Sequence, residues 1–160
     1  MNGIIYRKTN RGDSEKIADL ITERWGDEYI VVHNTIYLPK NLDGFAAIIE
    51  NKIAGVVTYI IENNKCEIVT LDSFEQNKGI GSRLIELVIK EAKEKRCSCV
   101  WLITTNDNER AAQFYEKRGF NLEEVSYGAV DDSRKIKPSI PLKGENGIEI
   151  KDELKFSLML

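Results

Sequence analysis

The stretch from Glu67 to Thr105 constrains the fold more than any other. It reads as a strand, a polar turn, the segment EQNKGIGSRLIE opening a helix, and then CVWLITT, a continuous apolar run. Between Gly79 and Arg96 the apolar residues Ile80, Leu84, Leu87, Val88 and Ala92 recur every three to four positions, the spacing of one buried helix face. Glu86–Lys90 and Glu91–Lys95 are favourable four-residue pairs on the exposed side. A run apolar throughout, as Cys99 to Thr105 is, suits a strand covered on both faces. Strand, helix and strand in this order form a crossover, and crossovers join parallel strands. The spacing therefore predicts a parallel pair, Glu67–Leu71 with Cys99–Thr105.

Around this unit the chain reads as strands and two more helices. Ile4 to Thr9 suits a short strand. Asp13 or Ser14 can cap a helix with apolar positions Ile17, Ala18, Leu20 and Ile21, ending near Gly26. Pro39, Asn41, Asp43 and Gly44 mark a loop leading into a strand. Three consecutive strands follow, with hairpin turns at Glu50-Asn51-Lys52 and Glu62-Asn63-Asn64. Asn108 to Arg118 is a second amphipathic helix, with Ala111, Ala112, Phe114 and Tyr115 inward and Gly119 as its stop. Residues 120–130 read as a strand and 131–150 as a long polar connection. Alternating Leu154, Phe156, Leu158 and Leu160 form the last strand. The expected class is α/β (α+β): a mixed, mostly antiparallel sheet of about six to seven strands around a central β-α-β crossover, flanked by helices. Residues 1–160 are expected to make one domain, since 160 residues suit a single core.

Bulk chemistry narrows the partners. The net charge of −3 and a pI near 5.4 disfavour nucleic acid and anionic membrane, and mildly favour a cationic ligand such as an amine. No segment reaches the ~18 apolar residues of a membrane span, and the start, MNGIIYRKTNRGD, does not read as a signal peptide. Cys66, Cys97 and Cys99 have no metal-ligand spacing. No metal is expected, and a reduced, cytoplasmic protein is.

EQNKGIGSRLIE lacks the G-x-x-x-x-G-K-[ST] of a P-loop and the third glycine of a dinucleotide fingerprint. Two readings remain. A helix start offers free N–H groups and partial positive charge, and glycines at 79 and 81 let a pyrophosphate approach the backbone, with Lys78 and Arg83 adding charge. Alternatively it is a glycine-rich helix start with no ligand.

The second stretch, TTNDNERAAQFYEKRGF, decides between them. Gln76-Asn77-Lys78-Gly79-Ile80-Gly81 matches the pattern Q/R-x-x-G-x-G/A, and Asn108-x-x-Ala111-x-x-Phe114-Tyr115-x-x-x-Gly119-Phe120 matches N-x-x-A-x-x-F/Y-Y-x-x-x-G-F. Together, at this separation, they resemble the two signatures of the GNAT superfamily of N-acetyltransferases, over about Ile4 to Val130 and the closing strand. Asn77 departs mildly, standing where many members carry glycine.

The resemblance implies acetyl-CoA as co-substrate. Backbone amides from Gln76 through Asn77, Lys78, Gly79, Ile80 and Gly81 to Ser82 would hold its pyrophosphate. Leu71 and Ser73, on a strand that splays from its neighbour, would pair by backbone with the pantetheine arm. Asn108 would hydrogen-bond the cofactor, with Phe114 beside it, and Tyr115 would protonate the departing thiolate. The implied reaction is direct attack by a primary amine. An amine with pKa near 10.4 costs about 4–5 kcal/mol to deprotonate at pH 7, at about 1.36 per unit. Asp72 and Glu67 are the candidate bases, directly or through water. Read blandly, Glu67 is a solvated strand carboxylate and Asp72 a turn former.

His33, the sole histidine, falls in the loop that by resemblance flanks the acceptor, or is an ordinary surface residue. Arg134, Lys135 and Lys137 lie in the long connection, either solvated or facing an anionic group of the acceptor. The acceptor is a small-molecule or protein amine, and a homodimer is compatible with the sequence. A non-catalytic acyl-CoA-binding sensor of the same fold is the alternative, and a purely structural domain the third reading.

Overall fold

Strand pairing puts the crossover at the middle of the sheet. The computed structural model describes residues 3–160; Met1 and Asn2, of the start read above, lie outside the described residues. Among the described residues, β1 (Ile5–Lys8), β4 (Asp43–Ile49), β5 (Lys52–Glu62), β6 (Lys65–Ser73), β7 (Cys99–Thr105), β8 (Asn121–Ser126) and β9 (Glu153–Met159) share one sheet, while β2 (Ile30–Val32) and β3 (Thr35–Tyr37) form a separate ribbon. The helices are α1 (Ser14–Trp25), α2 (Ile80–Glu94), α3 (Glu109–Lys117) and α4 (Ala129–Ile136). Sheet order is β1-β4-β5-β6-β7-β9-β8. β6 and β7 pair in parallel, and the other neighbours are antiparallel. This is the mixed α/β class expected from the sequence.

The apolar stripe of α2 explains its position. Ile80, Leu84, Ile85, Val88 and Ala92 are sealed against Val57, Cys66, Val100, Phe120 and Phe156. A smaller core of Ile17, Ile21, Ile30 and Val56, joined by Tyr37, Val69 and Phe74, covers the other face beneath α1 and the β2–β3 ribbon. The hairpin turns fall where expected. Glu50, Asn51, Asn63 and Asn64 take positive φ of 49°, 66°, 52° and 61°, the conformation that two-residue hairpin turns require.

Three local expectations are corrected. Asp13 stands at the N-cap of α1 without capping it; its carboxylate instead accepts from both terminal nitrogens of the Arg7 guanidinium and from the Asn10 amide. Residues 30–37 are not loop but a ribbon turned by His33 and Asn34, at φ 41° and 59°. Three-residue strands are too short to display an alternating pattern, so only Asn34 hinted at the turn.

The third correction is α4, where a strand to Val130 and then a polar connection were expected. The strand stops at Ser126, and Gly128 at φ 72° starts the helix. Val130, Ser133 and Lys137, at three- to four-residue spacing, face inward. Lys137 is only 4% exposed and donates to the carbonyls of Trp25 and Tyr29 at 3.1 and 3.0 Å. Arg134 pairs with Asp131 and donates to the carbonyls of Ile140, Pro141 and Ile150. These two cations bind backbone of their own chain; exposed Lys135 pairs with Asp132.

Candidate functional site

β6 and β7 part company half-way along. Their pairing runs from Lys65–Cys99 to Ile68–Leu102. Beyond that, β6 continues to Ser73 on β5 alone, and β7 to Thr105 on β9 alone. The backbone of residues 69–73 therefore presents to the gap an edge with no strand partner, its Ser73 carbonyl accepting from Arg24 at 3.1 Å. A β-bulge lies at its start: Thr58 faces Thr70 and Tyr59 faces Ile68, which leaves Val69 as an extra residue. A bulge bends and twists its strand, and here it coincides with the divergence.

The bulge also resets which way side chains point. In a regular strand, residues five apart face opposite sides. With Val69 inserted, Glu67 and Asp72 both face the α1 side, Glu67 under the ribbon and Asp72 against Trp25 and Arg24 at 3.3 Å each. Burial pushes the Asp72 carboxyl up, and the bonds from Trp25 and Arg24 oppose this without cancelling it. Glu67 is not the solvated carboxylate of the bland reading: it is 4% exposed. Its Oε2 lies 2.9 Å from His33 Nε2, and its Oε1 accepts from the Tyr37 hydroxyl at 2.6 Å.

Across the gap lies the first turn of α2. Asn77 and Gly79 both take left-handed backbone, at φ 60° and 68°. The first helical bond is Arg83 N–H to Gly79 O. Among the described residues, no protein group accepts from the amides of residues 76–82. That row of donors lies at a positive helix end, the kind of position where anions bind. Lys78 is exposed beside it, whereas Arg83 is engaged by Glu86 at 3.1 Å and lies over the Tyr6 ring.

Gly81 is set by packing. A Cβ there would come within 3.2 Å of the Phe114 ring, so glycine lets α3 sit close to this turn. Arg118, which sequence reasoning missed, locks the contact. Its guanidinium stacks 3.5 Å from the Phe114 ring centroid and donates to Phe114 O and to Ser82 Oγ. The available signal was a cation four residues after an aromatic on one helix face.

Asn108 caps α3, its Oδ1 accepting from Ala111 N–H at 3.1 Å; its Nδ2 has no partner among the described residues. Leu71 packs on the α2 core, and Ser73 Oγ donates to Glu75 O at 2.9 Å. Tyr115, 8% exposed, meets Phe114 and Phe120 edge-on at 5.3 and 5.6 Å. No described residue hydrogen-bonds its hydroxyl. Burial raises its pKa, the Asp72 charge adds to this, and Arg118 opposes it, so the phenol stays protonated at neutral pH. Among the described residues no three side chains gather as a metal site, and a cavity of about 260 Å³ lined by Lys8, Tyr59 and Glu91 lies away from the gap.

A splayed parallel pair facing the open amides of a crossover helix is a fold-specific arrangement, and comparison with known proteins bears on it directly. The Acetyltransferase (GNAT) family model matches residues 13–120. The chain belongs to the GNAT acetyltransferase family. The Bacillus subtilis protein YdhI is 43% identical over 145 residues, covering 90% of this chain and 91% of that one. The GNAT fold recurs in the IAA acetyltransferase from Bacillus cereus, with TM-score 0.75 at 20% identity over 99% of this chain and 100% of that one. It recurs again in a GNAT acetyltransferase from Elizabethkingia anophelis with acetyl-CoA bound, with TM-score 0.73 at 21% identity over 98% of both chains. No described helix of this GNAT chain is long and apolar enough to cross a membrane.

Proposed function

We propose that the chain is an acetyl-CoA-dependent N-acetyltransferase acting on a primary amine by direct attack. The observation that carries this reading is the β6 edge with no strand partner, facing the free amides of α2 across one gap. Those groups fit the co-substrate: an anion site for a pyrophosphate beside a strand edge able to bond an amide-bearing arm. The amides of residues 76–82, with Lys78, would hold the pyrophosphate. Backbone at Leu71 and Ser73 would hold the arm, with Asn108 Nδ2 and Phe114 completing the cleft. Acetyl-CoA, when bound, supplies the acetyl thioester that the amine attacks and from which the thiol leaves.

The protein's own task is proton handling. Tyr115 donates to the departing sulfur: its phenol is protonated and has no competing partner. Glu67 takes the amine proton, and Asp72 holds Arg24 and Trp25 so that α1 stays docked. The proton lost by nitrogen balances the one gained by sulfur. The acceptor is an amine on a small molecule or a protein, in the cytoplasm.

The sensor alternative keeps binding without turnover; the unpartnered Tyr115 hydroxyl favours the enzyme. Acetyl-CoA at one hundred times its Kd is expected to stabilise the fold by about 2.7 kcal/mol, read as a thermal shift, and to release free thiol with at least one member of an amine panel. Binding without thiol release across the panel supports the sensor. No thermal shift at all removes both readings.

A further inference from the structure

We propose that His33, at the tip of the β2–β3 ribbon, is a positioning residue of the transfer step: it fixes the Glu67 carboxylate, and its charge state decides whether Glu67 takes the acceptor's proton. This rests on Glu67 as the proton acceptor proposed above.

The geometry is a closed set of contacts. Glu67 on β6 meets His33 Nε2 at 2.9 Å, and Tyr37 on β3 lies 3.1 Å from the same nitrogen while donating to Glu67. On the other side of the ring, Thr35 Oγ1 is 3.2 Å from His33 Nδ1. Glu153 on β9, itself buried, accepts from the His33 backbone N–H at 3.1 Å. The Trp101 ring of β7 lies 5.6 Å from the imidazole and carries Lys155 on its face. Asp132 of α4 acts on Glu153, and Glu62 of β5 acts on Tyr37. His33 is thus the one cation-forming group in direct contact with Glu67 among the described residues.

Both charge states of the ring are satisfied in place. Neutral, it donates from Nε2 to Glu67 and accepts at Nδ1 from the Thr35 hydroxyl. As imidazolium it donates from both nitrogens, and only the Thr35 O–H turns. The proton can therefore come and go without repacking, and the imidazole side chain is 31% exposed, open to solvent. When charged, it neutralises Glu67 and repels an arriving ammonium. When neutral, it leaves a net negative carboxylate, which takes the proton as the acceptor N–H bond breaks and the electron pair stays on nitrogen to form the C–N bond.

The bond to Glu67 is the largest cause raising the His33 pKa above its ordinary 6.5; burial opposes it. A raised folded value means that the ion pair stabilises the fold fully below about pH 6.5 and that this is lost as pH rises through the folded pKa. Activity follows the opposite course, rising through the same window. A residue with only a structural role would move both quantities together.

The test uses His33→Gln, which keeps a donor near Nε2 and cannot titrate, alongside His33→Ala and Glu67→Gln. The ratio of wild-type to His33→Gln kcat/KM, in which the acceptor's own ionisation cancels, is expected to fall about tenfold per pH unit below the His33 pKa. Because His33 is the sole histidine, its ring proton resonance titrates without overlap by NMR. That titration is expected above pH 6.5 and lower in Glu67→Gln, a readout that needs no turnover. His33→Ala is expected to lower kcat about tenfold, with KM for acetyl-CoA unchanged. If His33→Ala fails to fold, the His33→Gln ratio and the NMR titration stand in its place. A flat ratio with Glu67→Gln impaired overturns the role of His33 alone; Glu67→Gln at full activity overturns the proton acceptor and His33 with it.

Discussion

Tyr115→Phe is expected to leave acetyl-CoA affinity unchanged and to lower kcat by a factor on the order of 10² to 10⁴, the range for a positioned proton donor. The substitution removes one atom. The edge contacts with Phe114 and Phe120 are made by the ring and survive. The hydroxyl has no partner among the described residues, so its loss strands no buried donor or acceptor, and the fold is expected to be unaffected. What disappears is a protonated phenol held above its ordinary pKa by burial and by Asp72. Calorimetric titration with acetyl-CoA reads the affinity, and thiol release under saturating co-substrate reads kcat. Turnover within threefold of wild type would remove Tyr115 from the proton-donor role. A matched loss of affinity would instead assign it to packing of the cleft. The pH profile adds a check: a donor whose pKa lies above the assay range contributes no falling limb below pH 9.

The parts of this molecule legible in the sequence were those written in local pattern. The α2 stripe from Ile80 to Ala92 and the apolar run from Cys99 specify a helix and a buried strand wherever they occur, and their order specifies the crossover. The two signatures pointed to the turn of residues 76–82 and to Tyr115. What escaped depends on atoms far apart in the chain. Val69 is an ordinary β-former, and nothing near it announces a bulge, because the bulge is a mismatch between β5 and β6. Without it, an alternating strand would put Glu67 and Asp72 on opposite faces. The tie from Lys137 to Trp25 and Tyr29 spans more than one hundred residues, so one cation of a run read as solvated or facing the acceptor is instead the peg holding α4 against α1. His33 read as a loop residue because the strands around it are three residues each; its meeting with Glu67 is a tertiary event. Arg118 marked only the end of a helix in the sequence, and its stacking on Phe114 follows from α3 packing against Gly81.

Gly81→Trp is expected to abolish measurable acetyl-CoA binding while the protein still folds. Even an alanine at 81 has its Cβ 3.2 Å from the Phe114 ring, so Phe114 must yield by a few tenths of an ångström. An indole must push Phe114 and the Arg118 stacked on it aside, or swing over the first-turn amides. Either outcome closes the approach that those N–H groups need. The cost to stability falls at the first turn of α2, where Gly81 is half-buried beside the sealed Ile80, while Leu84, Ile85 and Val88 lie further along the helix. Far-UV circular dichroism and a melting curve check that the fold persists, and titration with acetyl-CoA reads the loss. Phe114→Leu separates the two routes. If displacement of Phe114 is what matters, that variant weakens binding nearly as much as Gly81→Trp; if the amides are simply covered, it binds close to wild type. Gly79 makes the contrast: a Cβ there meets nothing, but its φ of 68° strains any other residue. Gly79→Ala is therefore expected to cost about 1 kcal/mol of stability and to weaken binding only by distorting the turn. Acetyl-CoA binding by Gly81→Trp with unchanged affinity would mean that the pyrophosphate is held elsewhere and that the open amides of α2 serve no ligand.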